Sequence, residues 1–154
     1  MTDILDEIIA HKRLEIEQQK AAISQELLIN NCNEPMPRRS MRASLSASPS
    51  GIIAEFKRRS PSKGWIKENA QADIISPAYE MAGASVLSIL TDENFFGGNL
   101  KDIRAARPQV SLPILRKDFI IDEYQLYQAC IVGADAVLLI AAALRNCLLY
   151  TSPS

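Results

Sequence analysis

The 154-residue sequence predicts an α/β fold with a parallel sheet. Three observations carry this reading. Short apolar runs alternate with stretches of helical periodicity. Those runs are nearly continuous, as expected of strands covered on both faces. They begin roughly 20–35 residues apart, the length of successive βαβ units.

The first segment, from Asp3 to about Ala22, reads as a helix. Ile4, Leu5, Ile8 and Ile9 form its apolar stripe, with Lys12, Arg13, Glu15 and Glu17 beyond it. Asp3 suits the N-cap, where its carboxylate accepts hydrogen bonds from first-turn amides. A connector follows through Asn30, Asn31, Asn33, Pro35 and Pro37. Met41 and Leu45 lie four apart and mark a short helix within residues 38–50.

From Gly51 onward the α/β alternation begins. The strands are Ile52–Phe56, Ser85–Leu90, Pro113–Leu115 and Ala136–Ile140. Between the first two, Ile74, Ile75, Ala78, Met81 and Ala82 recur at helical spacing. Ser76-Pro77 falls in that helix, so the helix is expected to start late, at Ser76, or to bend. Asn99 caps the next helix, which carries Leu100, Ile103 and Ala106. In the third, Leu126, Tyr127, Cys130 and Ile131 share a face, which makes Cys130 a core residue. Asp122 with Gln125 forms a capping-box variant, and Gly133 supplies the C-terminal stop.

Composition bounds the function. With 47% hydrophobic and 23% charged residues and a net charge of -1, the chain is neither disordered nor a dedicated polyanion binder. No apolar run approaches the roughly 18 residues of a membrane helix. The Met1 end lacks the pattern of a signal peptide. The three cysteines, Cys32, Cys130 and Cys147, have neither disulfide-framework nor zinc spacing, which fits a reducing, cytoplasmic setting. His11, the single histidine, sits in a charged helical stretch and reads as a solvated helix residue.

Reactive groups in parallel α/β folds gather at the C-terminal ends of strands. There the first strand delivers Glu55 and Lys57, two apart and on one side of the pleat. The second ends in Thr91-Asp92-Glu93 and the third in Arg116-Lys117-Asp118. Two lysines at one mouth suit an anionic substrate or a proton donor. The Arg58–Lys67 segment is basic and carries Pro61 and Gly64, which suits a shaped, mobile loop closing over phosphate or carboxylate groups. Its Trp65 also fits single-stranded nucleic acid, on thinner support. Phe95-Phe96-Gly97-Gly98 offers an apolar wall or simple packing beneath a loop.

At these residues the chain resembles the indole-3-glycerol-phosphate synthase family. The resemblance rests on Ile53-Ala54-Glu55-Phe56-Lys57-Arg58-Arg59-Ser60-Pro61-Ser62-Lys63-Gly64 and on Ser88–Glu93 with Phe95–Gly98. It continues in Pro113–Asp122 and Gly133–Ile140, and the Ile4–Ile16 helix is similar to the family's N-terminal extension. It implies a (β/α)8 barrel, cut to about its first four strands behind a helical extension. The implied boundaries are 1–50 for the extension, 51–144 for the first half of the barrel and 145–154 for a tail unlike the family.

The resemblance further implies ring closure, decarboxylation and dehydration of 1-(o-carboxyphenylamino)-1-deoxyribulose 5-phosphate in tryptophan biosynthesis, a carboxy-lyase reaction. By matching position, Lys117 is the general acid, Lys57 holds the substrate carboxylate, and Glu55 orients that lysine and the cationic intermediate. Ser60 lies in the lid motif, while Phe96 and Phe119 are the aromatic walls. No metal or organic cofactor is implied. The partner is a phosphorylated small molecule, with no nucleic acid or membrane. A half-barrel is expected to be inactive by itself, lacking the family's later catalytic and phosphate-binding groups, and to self-associate through open sheet edges. Two rivals stand beside this reading: another phosphate-sugar barrel enzyme, and a non-enzymatic half-barrel that binds anions or a second chain.

Overall fold

Backbone groups must pair as the chain folds, and the local devices read from the sequence do this work. The computed structural model describes residues 3–32 and 37–144. The first helix, α1, spans Ile4–Ala22, and the Asp3 carboxylate accepts from Leu5 N at its start. α2 (Gln25–Cys32) follows within a stretch that the sequence predicts only as a connector, and α3 (Met41–Ala47) lies where a short helix is expected. Part of the predicted connector, residues 33–36, lies outside the described residues, as does the 145–154 tail.

The alternating part comprises β1 (Ile53–Phe56), a small hairpin of β2 (Arg59–Ser60) and β3 (Gly64–Trp65), then α4 (Ala72–Met81) and β4 (Val86–Leu90). It continues with α5 (Leu100–Ala106), β5 (Ile114–Lys117), α6 (Glu123–Val132), β6 (Ala136–Val137) and α7 (Ala141–Leu144). β1, β4, β5 and β6 form one parallel sheet in chain order. This is the sheet of a partial (β/α) barrel.

Three caps meet expectation. Asn99 accepts from Lys101 N, Asp122 and Gln125 complete a capping box, and Gly133 ends α6 at φ 94. The left-handed conformation at Gly133 lets the last carbonyls of α6 bond to the following amides without a Cβ penalty.

Three expectations change. α4 begins at Ala72 and runs through Pro77, which removes the late start at Ser76 from the two alternatives. Proline at its sixth position removes one hydrogen bond, a cost of about 3 kcal/mol. Ala72, Ile75 and Tyr79 pack into the main core and offset it. The predicted α4 stripe also splits: Ile75 packs inward, whereas Ile74 is 63% and Met81 91% exposed. On α6 the buried face is Tyr124, Gln125, Gln128, Ala129 and Val132, on nearly the opposite side of the helix from the predicted one, about half a turn away. Cys130 is therefore half-buried and outside the core, because α6 turns the Gln128 side chain and the Gln125 carbonyl toward the buried Arg116, while the Gln125 side chain bonds Phe119, Ile121 and Asp122.

The core lies between sheet and helices. Phe56, Leu87, Ile89, Ile103, Ala106, Ile114 and Val132 form its centre. A second cluster of Ile16, Leu28, Ile121, Tyr124 and Ala143 joins α1 and α2 to α6. The Tyr124 hydroxyl donates to the Gln19 and Ile23 carbonyls at 3.1 and 2.8 Å, fastening the end of α1. β4 is buried along all five residues, as a central strand should be. Ile52 and Ile53 stay exposed because β1 has no second neighbour among the described residues.

Candidate functional site

Pleat parity sets which side chains leave the sheet together. The parallel register places Phe56, Ile89 and Arg116 side by side, and Glu55 level with Ser88 and Leu115. Alternation then sends Phe56, Ile89 and Arg116 to the helix layer and Glu55, Lys57 and Lys117 to the opposite face. Lys117 Nζ donates to Glu55 Oε2 at 2.6 Å, and Lys57 Nζ lies 3.4 Å from Glu55 Oε1. One carboxylate thus holds two ammonium groups, leaving a net positive centre about one-third exposed. The contact from β1 to β5 spans β4, where the small Ser88 leaves room. The Ser88 hydroxyl is buried without a hydrogen-bond partner among the described residues.

Beside this cluster is a cavity of about 510 Å³, lined by Lys57, Ser60, Lys63, Phe96 and Phe119 among others. The Phe96 and Phe119 rings lie 5.9 Å apart at a 38° tilt. Ile4, Leu5 and Ile8 of α1 close another side. The structure therefore gathers Lys57, Ser60, Phe96 and Phe119 at one cavity, with Glu55 and Lys117 tied to its Lys57. An apolar wall opposite a cationic centre can take an aromatic anion, burying the ring and pairing the charge.

The basic segment after β1 is a hairpin rather than a cluster of free cations. The Arg58 guanidinium makes a paired contact with Asp102 at 2.5 and 2.8 Å, and its Nε donates to the Ala70 carbonyl. That paired bond to Asp102 holds the guanidinium above its ordinary range, against the opposing effect of burial. Arg59 stacks over Trp65, 5.4 Å from the ring centroid. Lys57 and Lys63 remain directed to the cavity. The Ser60 hydroxyl accepts from Lys63 N at 3.2 Å, so it shapes the turn within the hairpin.

The Phe95–Gly98 turn is equally specific. Phe96 lines the cavity, while Phe95 packs edge-on against His11 with centroids 5.7 Å apart. His11 is consequently half-buried, not solvated, because α1 lies across the strand ends. A Cβ at Gly98 would come within 2.1 Å of the Leu90 carbonyl oxygen, which restricts that position to glycine.

The largest surprise is Lys12, which the amphipathic reading puts on the polar side of α1. It is 2% exposed and its Nζ bonds Asp92 at 2.7 Å, Asp118 at 3.1 Å and Glu15 at 2.5 Å. Asp92 and Asp118 stand just past β4 and β5, so this ammonium pins α1 over the mouth of the sheet. Arg116 completes the network through Thr91, Asp118 and the Gln125 carbonyl. Burial pulls the Lys12 pKa down, but the charges of Asp118 and Asp92 raise it above the ordinary lysine value. Burial likewise pushes Asp118 up, while Arg116, Lys12, Thr91 and the Phe119 amide hold it lower than usual. Spacing could have exposed this role: Ile8, Lys12 and Ile16, each four apart, are the buried residues of α1.

A parallel sheet whose C-terminal edge presents a lysine–carboxylate–lysine cluster beside an apolar cavity defines a barrel-type α/β enzyme scaffold. The family model for indole-3-glycerol phosphate synthase matches residues 5–151, and the chain belongs to that family. The match runs past Leu144, into the stretch that the sequence reading separates as a tail. The chain is 70% identical over 146 residues to an indole-3-glycerol phosphate synthase of Bacteroides thetaiotaomicron, covering 95% of this chain and 56% of that protein. It is 51% identical over 150 residues to the synthase of Neisseria meningitidis serogroup B, covering 95% and 58%. With the synthase of Syntrophobacter fumaroxidans it shares 44% over 148 residues, covering 94% and 56%. The chain thus spans somewhat more than half the length of these relatives. No helix among the described residues is long and apolar enough to cross a membrane.

Proposed function

We propose that this chain supplies the first catalytic groups of an indole-3-glycerol-phosphate synthase acting on 1-(o-carboxyphenylamino)-1-deoxyribulose 5-phosphate. The observation that carries the proposal is the Lys117–Glu55–Lys57 cluster beside the Phe96–Phe119 wall. Lys117 donates a proton to the substrate carbonyl oxygen as the aromatic carbon attacks it, so charge on that oxygen is neutralised as it develops. Carbon dioxide then leaves, and its bonding electrons restore the aromatic ring. Lys57 holds the substrate carboxylate before that loss and assists departure of the hydroxyl as water. Glu55 keeps the two ammonium groups in place and stabilises the cationic intermediate. Phe96 and Phe119 bury the anthranilate ring, and Ser60 shapes the hairpin over it.

In this reading the phosphate grip and further polar groups come from strands beyond β6, so the 154 residues alone do not turn over. The test pairs residues 1–144 with the C-terminal part of the Bacteroides relative and follows indole-3-glycerol phosphate by its fluorescence. The joined chain is expected to be active, and Lys117→Met to lower kcat by about 10²–10⁴-fold. Full activity of the Lys117→Met chain would overturn the assignment. Turnover by the 154-residue chain at the rate of a whole barrel would overturn its dependence on later strands.

Among the described residues β1 and β6 are the edges of the sheet and Ile53 on β1 is exposed, which gives the chain alone a tendency to self-associate. A monodisperse monomer that unfolds cooperatively would count against this. The same proposal puts the protein in the cytoplasm, a reducing setting that suits the unpaired Cys32 and Cys130.

A further inference from the structure

We propose that Cys130 is an oxidant-reactive thiol and Cys32 its resolving partner, so that a hydroperoxide joins α2 to α6 through a disulfide. The pair lies on the helical layer, away from the lysine cluster. Cys32 is the last residue of α2, which packs along α6. Its Sγ donates to the Tyr127 carbonyl at 3.3 Å. Cys130 stands three residues beyond Tyr127, one turn further on the same side of α6. Both thiols are free and half-buried, so neither needs the core to open before it reacts.

The surroundings of the two sulfurs differ, and this assigns their roles. The Arg38 guanidinium donates to Cys130 Sγ at 2.7 Å while its other arm donates to the Ala134 carbonyl at 3.0 Å. Arg39 and Arg107 line the same cavity of about 230 Å³, and among the described residues Asp135 is the one acidic residue lining it. A guanidinium on the sulfur, in a partly exposed pocket, stabilises the negative charge that gathers there as a cysteine attacks an oxidant. Burial, together with the neighbouring Cys130 sulfur, pushes the Cys32 thiol up to about 11. Cys32 therefore waits as a thiol while Cys130 attacks.

The chemistry balances with hydrogen peroxide as the oxidant. The Cys130 thiolate attacks one peroxide oxygen; an S–O bond forms, the O–O bond breaks, and the departing hydroxide takes a proton to become water. The Cys32 sulfur then displaces the sulfenic hydroxyl, which leaves as a second water with the Cys32 proton. Two electrons pass from the thiols to the peroxide.

The test uses the 154-residue chain with Cys147→Ser, leaving these two thiols. Equimolar hydrogen peroxide, acid quenching, non-reducing digestion and mass spectrometry should give an intramolecular Cys32–Cys130 cross-linked peptide. The oxidised chain should unfold at higher urea than the reduced one, as a bridge across a long loop requires. With Cys32→Ser, dimedone should trap a sulfenic acid on Cys130; with Cys130→Ser, Cys32 should remain largely unlabelled. Arg38→Met should slow oxidation by roughly tenfold through loss of the cationic neighbour. Circular dichroism of each variant establishes that it is folded. Only intermolecular disulfides, or equal dimedone labelling of Cys32 and Cys130 in their folded single variants, would overturn the proposal.

Discussion

Replacing Lys12 by methionine tests how α1 is held over the strand ends. The side chain keeps nearly its length and loses its charge. Asp92 is 0% exposed and Asp118 3%, so both carboxylates would stay buried after losing contacts of 2.7 and 3.1 Å. Removing one member of a buried charge network costs about 3–5 kcal/mol, because the remaining charges lose their compensation. Arg116 and the hydroxyl of Thr91 still serve Asp118, and the Phe95 amide still serves Asp92, so total collapse of the site is not expected. With a urea slope of about 2 kcal/mol/M, the unfolding midpoint should fall by about 2 M.

Two controls sharpen this expectation. Lys12 has a raised folded pKa, so its contribution is fully present below the unfolded lysine value of about 10.4 and is lost as pH rises through the higher folded value. The wild-type minus Lys12→Met difference should therefore stay constant between about pH 6 and 9. Combining Lys12→Met with Asp92→Asn should recover part of the loss, because the buried carboxylate that has lost its ammonium partner is no longer charged. Urea unfolding followed by circular dichroism reads each quantity. A midpoint within about 0.3 M of wild type for Lys12→Met would refute the buried-network account.

Three further outcomes follow from single contacts. Gly98→Ala drives a Cβ into the Leu90 carbonyl at 2.1 Å; the backbone must shift, and a loss of about 3 kcal/mol or more should appear as a lower thermal midpoint. Little change there would mean that the turn after β4 is slack. Asp118 has a depressed folded pKa, so its stabilisation is present above the unfolded value near 3.8 and is lost as pH falls through the lower folded value. Urea midpoints should show a steeper acid loss for wild type than for Asp118→Asn, and identical acid slopes would contradict the assignment. Arg58→Lys keeps the charge but breaks the two-pronged contact with Asp102; a cost of about 1–2 kcal/mol in urea unfolding is expected, against none for a solvated cation.

Much of the site was legible because a strand alternates its side chains. Glu55 and Lys57 had to share a side, and their position after an apolar run put them at a strand end. Lys117, by contrast, reaches Glu55 only because β1, β4 and β5 lie in parallel order with a fixed register. Arg58 and Arg116 looked equally available as basic residues beside the same ends. Their guanidiniums instead meet Asp102 on α5 and the Gln125 carbonyl on α6, partners 44 and 9 residues away in the chain. Periodicity marks an apolar face but not what will cover it, so Cys130 was assigned to the core and His11 to solvent.

By itself the sequence determined the α/β alternation, the caps at Asp3, Asn99 and Asp122, the stop at Gly133, and the motifs that mark the synthase family. These depend on local hydrogen bonding and on spacing along one strand or helix. Tertiary structure alone decided which charges face the cavity and which are consumed in structural pairs. It turned Lys12 from a surface residue into the pin of α1, because a long side chain can cross a helix boundary to reach two buried carboxylates. The physical reason is common to all these cases: a buried charge persists only where the fold brings it a partner, and that partner is usually distant in sequence.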